Sequence, residues 1–144
     1  MKAIGVVLVA ASLAASPLWA DEVVRTCATS VTYRQFNLPR YERNYVGSLH
    51  FPLDAIVESA LREVALIKLC QPDVQSPALY ERVCELARDG NTPAVRYKAS
   101  LVKLAFENPE LFATEGKAEY RNDEEVFTAI ARRLQVEVLA VVVR

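Results

Sequence analysis

Hydrolytic chemistry needs two carboxyl groups whose surroundings push their pKa values apart. The chain offers two places to look for them: Glu58 with Glu63, and Glu119 with Asp123, Glu124 and Glu125. The second group follows Asn122, and Asn122 with Glu125 three residues on forms a capping-box-like helix start. Negative charge there favours the positive end of the helix dipole, so the spacing predicts a structural role. His50 is the only histidine. A general base requires a positioned partner, and its place directly before Phe51-Pro52 predicts a residue leading into a helix. Cys84 activated by His50 as a nucleophile would depend wholly on tertiary proximity. Zinc-binding or redox spacings, a glycine-rich phosphate loop and a serine-centred nucleophile elbow are all missing from the sequence. No catalytic, cofactor-binding or metal-ligating residue is therefore assigned, and no cofactor is expected.

The cysteines suggest covalent structure. Cys27, Cys70 and Cys84 cannot all pair within one chain. Linking Cys70 to Cys84 closes the shortest loop and would stabilise by ~3 kcal/mol on a chain-entropy estimate. Cys84 lies seven residues into a helix, however, so the intervening loop must fold back for that pairing, and Cys27 is a competing partner. Cys70, at a helix end beside a proline-containing loop, is the cysteine best placed to bridge.

The richest binding chemistry lies between Tyr33 and Tyr45, which holds three of the six tyrosines together with Arg34, Arg40 and Arg43. Tyrosine and arginine join large contact area to directed hydrogen bonding and dominate interface hot spots. Arg40, Tyr41, Arg43 and Tyr45 flank Pro39 and are the candidate protein-binding residues. The competing expectation is an arm lying across the fold, burying Phe36, Leu38 and one or two tyrosine rings.

What positions these residues starts with the leader. Lys2, the apolar run from Ile4 to Ala15 and the stretch Ser16 to Ala20 have the layout of a secretory signal peptide, with cleavage expected after Ala20. The run is shorter than the ~20 apolar residues of a membrane span, so membrane attachment is expected only if the segment is retained. The expected location is periplasmic or secreted, which suits disulfide formation. Loss of Lys2 with the leader leaves 16 basic against 18 acidic residues, a net charge of −2. Such a balance offers no long-range attraction to nucleic acid.

The rest reads as helix. Pro52, Pro77 and Pro93 each precede a helically periodic stretch, where a missing amide hydrogen has no cost. Ser76 and Thr92 stand ready as side-chain caps. Helices are predicted over about Pro52–Cys70, the central one, with Lys68 on a polar face, and over Pro77–Arg88 and Pro93–Glu107. Gly90 is placed to end the second in the left-handed conformation. A brief turn at Pro109–Ala113 is followed by a helix from Asn122 through Gln135, and the Val136–Val143 tail leans to helix. The core is expected to include Leu61, Val64, Val83, Val102, Phe106, Phe127 and Ile130.

These elements predict an all-α domain, a small bundle or short solenoid-like stack of four to five helices with an irregular or short-strand N-terminal arm. The organisation is leader 1–20, arm 21–50 and helical part 51–144 of the same domain. The leading functional expectation is a small exported, non-catalytic protein that binds another protein, as an inhibitor, immunity-like factor, adaptor or chaperone. A carrier or sensor enclosing a small apolar ligand between helices is the alternative. A hydrolytic enzyme comes third.

Overall fold

Polar side chains set two helix starts much as the spacing predicts. The computed structural model describes residues 25–26, 37–112 and 119–142. In chain order these form β1 (Arg25–Thr26), α1 (Leu38–Leu49), α2 (Asp54–Cys70), α3 (Pro77–Asp89), α4 (Pro93–Glu107), a 3-10 turn (Pro109–Phe112), β2 (Glu119–Tyr120) and α5 (Asp123–Val142). At α4 the hydroxyl of Thr92 accepts the Val95 amide at 3.3 Å, a cap worth ~1 kcal/mol. At α5 the side chain of Asn122 accepts the Glu125 amide at 3.0 Å, while Glu125 reaches back to the Arg121 amide at 2.7 Å. The reciprocal cap is the one the sequence predicts, shifted by one residue on its return leg.

Two other helix ends differ from expectation. Ser76 makes no side-chain cap at the start of α3; its hydroxyl donates to Glu42 of α1 at 2.8 Å, and the same Glu42 oxygen accepts the Ala78 amide at 3.3 Å. Gly90 ends α3 with φ −57° and ψ 144°, so it is not a left-handed cap. Its value is close approach. A Cβ there would lie 2.6 Å from the Leu86 carbonyl oxygen and 2.8 Å from Cγ1 of Val95, where the end of α3 meets the start of α4.

The arm is also more ordered than its composition suggested. Asn37 caps α1 by accepting the Arg40 amide at 3.0 Å, and Pro39 sits in the first turn, where it obstructs nothing. The 21–50 region thus contributes a full 12-residue helix, together with a two-residue strand. β1 pairs antiparallel with β2, Arg25 opposite Tyr120 and Thr26 opposite Glu119.

Burial organises the helices around α2, which packs against α1, α4, α5 and the 3-10 turn. From Val64 to Leu69 every residue is buried, the pattern of a helix covered on all sides. Leu61, Val64, Val83, Val102, Phe127 and Ile130 are buried as expected, each such side chain contributing ~1.5–3 kcal/mol if large and apolar. Phe106 is only partly buried; it lines an open cleft with Tyr80, its ring centroid 5.6 Å from that of Tyr80 and 4.9 Å from the ammonium of Lys68. Lys68 itself is buried and does not lie on a solvated face. The 71–76 loop folds over it, and its ammonium donates to the carbonyls of Pro72, at 2.5 Å, and Val74, at 3.0 Å. Burial lowers its pKa, opposed in part by Asp73. The outcome is an all-α bundle centred on α2. Among the described residues, no helix is long and apolar enough to cross a membrane.

Candidate protein-binding surface

Helical spacing divides the four binding candidates. Tyr41 and Tyr45 are one turn apart on the inward side of α1, packed against the core with ring centroids 4.3 Å apart. Arg40 and Arg43 are exposed on the outward side. The four do not form one patch. A 3.6-residue period cannot present positions 40, 41, 43 and 45 together, and the tyrosines instead secure the helix that displays the arginines. The arm's other contact residues, 33–36, lie outside the described residues.

Arg40, Arg43, Asn44, Gly47 and His50 share the outward arc of α1, and all are exposed. Among the described residues, Arg43 reaches only the Pro39 carbonyl, at 3.4 Å. Among the described residues, no carboxylate pairs with either arginine. Elsewhere cations are drawn into the fold: Arg62 holds Glu63 and, across to the start of α5, Asp123. Lys98 of α4 holds Glu58 of α2 at 2.8 Å and Glu124 of α5 at 3.0 Å. Burial works against the Lys98 charge, but the hydrogen bonds to Glu58 and Glu124 outweigh it and raise the pKa above its ordinary value.

The same contacts show what the acidic candidates do. Glu58, Asp123 and Glu124 tie helices together, Glu63 pairs with its neighbour Arg62 within α2, and Glu125 caps α5; the side chain of Glu119 lies outside the described residues. His50 closes the end of α1, its backbone N–H donating to Gly47 at 3.2 Å, and does not open α2. Cys84 is a free, half-buried thiol, so the Cys70–Cys84 bridge is not made. Its position well inside α3 keeps it from the end of α2, the difficulty the loop geometry raises. Cys70 is disulfide-bonded, and Cys27, the competing partner, lies outside the described residues. The proposed leader, residues 1–20, lies outside them too.

Among the described residues, cavities border the helices. One of about 190 Å³ opens where the α1–α2 turn meets the α3–α4 turn, with Leu49, Phe51, Asp54, Arg82 and Asn91 in its wall. A cleft of about 320 Å³ lies between Pro77, Tyr80, Phe106 and Glu107. There the Tyr80 hydroxyl donates to Glu107 at 2.8 Å, and this bond raises the Tyr80 pKa well above its usual range. A third void, bounded by Tyr41, Val64, Lys68 and Leu79, is about 10 Å³, barely the room one water needs. No patch of His, Cys, Asp and Glu among the described residues is arranged to hold a metal ion. Comparison with known protein families, curated proteins and solved structures finds no match.

Proposed function

We propose that this chain is an exported, non-catalytic protein-binding domain whose outward face on α1 makes the contact. The observation that carries this reading is the pair Arg40 and Arg43. They are exposed one turn apart on a helix anchored by Tyr41 and Tyr45, and no carboxylate among the described residues pairs with them. Arginine fits this use because its planar fork binds carboxylates and backbone carbonyls with directed hydrogen bonds. Gly47, between Asn44 and His50 on the same arc, has open space above it, which lets a partner's backbone approach closely. The leader-like residues 1–20 support a periplasmic or secreted setting.

Affinity capture from the exported fraction tests the reading. Arg40→Ala with Arg43→Ala should leave the melting temperature nearly unchanged and weaken capture of the partner at least tenfold, since hot-spot truncations cost ≥ ~2 kcal/mol each. Unaltered capture by the folded double variant removes this face as the site.

A further inference from the structure

We propose that the cavity at the α1–α2 turn is an anchor pocket for a single basic side chain, Arg or Lys, presented by a protein partner next to an apolar residue. The proposal rests on the protein-binding reading but concerns a different patch. Its floor is apolar: Leu49, Val57, Leu86 and Val95 line it and are buried. Phe51 lines its mouth, 47% exposed, and the next two residues of the chain, Pro52 and Leu53, are exposed as well, Leu53 at 59%. Three consecutive exposed apolar residues beside a cavity are a contact surface in waiting.

Charge selects the occupant. The lining carries three carboxylates, Asp54, Glu85 and Asp89, against two guanidinium groups. Arg82 is turned inward and committed, donating twice to the Leu49 carbonyl, at 3.1 and 3.0 Å, and to Glu85 at 2.7 Å. Arg88 pairs with Asp89 at 2.7 Å. Among the described residues, Asp54 has only a neutral partner, the Asn91 amide at 3.1 Å. One carboxylate therefore stands ready for a cation at the mouth of an apolar floor, beside the exposed Phe51 ring. A long basic side chain matches all three features: its methylene stem covers the floor, and its head meets Asp54 and the aromatic face. Size agrees. A volume of 190 Å³ falls short of the ~300–1,000 Å³ of pockets that enclose a drug-sized ligand, and it suits one inserted side chain.

The test titrates the whole 15N-labelled chain with acetyl-Leu-Arg-amide, acetyl-Leu-norleucine-amide and acetyl-Leu-Glu-amide, following backbone amide shifts. The arginyl peptide should give saturable shifts at Phe51, Asp54, Gly90 and Asn91. The norleucine peptide should bind about fivefold more weakly, the combined loss of an ion pair and a cation–π contact, and the glutamyl peptide more weakly still. Asp54→Asn keeps the shape of the side chain and should weaken the arginyl peptide about threefold, the worth of one exposed ion pair. Phe51→Ala should weaken it as well, without depending on the α2 start. Absence of saturable shifts, equal binding of the norleucine or glutamyl peptide, or undiminished binding by both folded variants would overturn the proposal. Such a failure leaves the Arg40 and Arg43 test standing, because neither arginine lines this cavity.

Discussion

Glu42 of α1 occupies the capping role at α3 that Ser76 is placed to fill, its Oε1 accepting the Ser76 hydroxyl at 2.8 Å and the Ala78 amide at 3.3 Å. The contact crosses 34 residues of sequence, so a local cap has become a tertiary one. A carboxylate at a helix N-terminus is favoured by the dipole as well as by the amide it receives. It also ties the helix that displays Arg40 and Arg43 to the rest of the bundle.

Glu42→Ala should therefore destabilise the protein by ~1 kcal/mol, the usual cost of losing an N-cap. The double variant should cost less than the sum of Glu42→Ala and Ser76→Ala, because both remove parts of one hydrogen-bonded unit. Urea unfolding of the two single variants and the double variant measures the coupling. A neutral Glu42→Ala with a costly Ser76→Ala would mean that Ser76 caps α3 directly.

The two described glycines should respond to alanine with opposite signs. Gly47 is interior to α1, exposed, with nothing within 4 Å of a built Cβ. Gly47→Ala should stabilise by ~0.5–1 kcal/mol through helix propensity and reduced freedom of the unfolded chain. Gly90→Ala places its Cβ against backbone, 2.6 Å from the Leu86 carbonyl oxygen, and should destabilise by ~1–3 kcal/mol, as overpacking does. Thermal melts of both variants decide it; a stabilising Gly90→Ala would show that the α3–α4 turn relaxes freely.

The helices from α2 onward were legible because proline, caps and apolar period all agreed. Pro93 with Thr92, and Asn122 with Glu125, are local signals for local bonds. α1 is encoded by Asn37 before Pro39 and the apolar spacing Tyr41, Tyr45, Val46 and Leu49, but the same tyrosines and arginines equally suit an irregular contact arm, so local pattern does not separate the two. Lys68 and Glu42 could not be read in this way. Their partners arrive from a loop that folds back and from a helix 34 residues away, and no periodicity encodes those meetings. The cavity is of the same kind, since it forms only where two interhelical turns converge.

Lys98 bridges three helices and makes the bundle's stability pH-dependent in a stated direction. Its folded pKa lies above the ordinary 10.5, so its contribution is fully present below that value and is lost as pH rises through the folded one. Lys98→Met should cost about 1–2 kcal/mol at neutral pH, mostly through Glu58, because Glu124 is 75% exposed and screened. The stability gap between wild type and variant should stay constant from neutrality to about pH 10 and shrink only above 10.5. Denaturant melts across that range measure it, and a gap that closes at lower pH would place the stabilising charge elsewhere.

The last expectation concerns the cysteines. Cys84 is a free, half-buried thiol in α3, and Cys70 at the end of α2 is disulfide-bonded. The chain has three cysteines, so alkylation of the unreduced protein should label Cys84 alone, and non-reducing peptide mapping should recover Cys70 linked to Cys27. A monomer on a non-reducing gel would make that link intramolecular, whereas a dimer would make it a bond between copies. An intramolecular bridge closes a long loop and should stabilise by ~4 kcal/mol on the chain-entropy estimate. Replacing Cys70 with Ser should then lower the melting temperature sharply, while Cys84→Ser should change stability little. Recovery of Cys70 as a labelled thiol, with Cys84 protected, would move the bridge to Cys84 and Cys27, whereas labelling of Cys27 alone would return it to the short loop between α2 and α3.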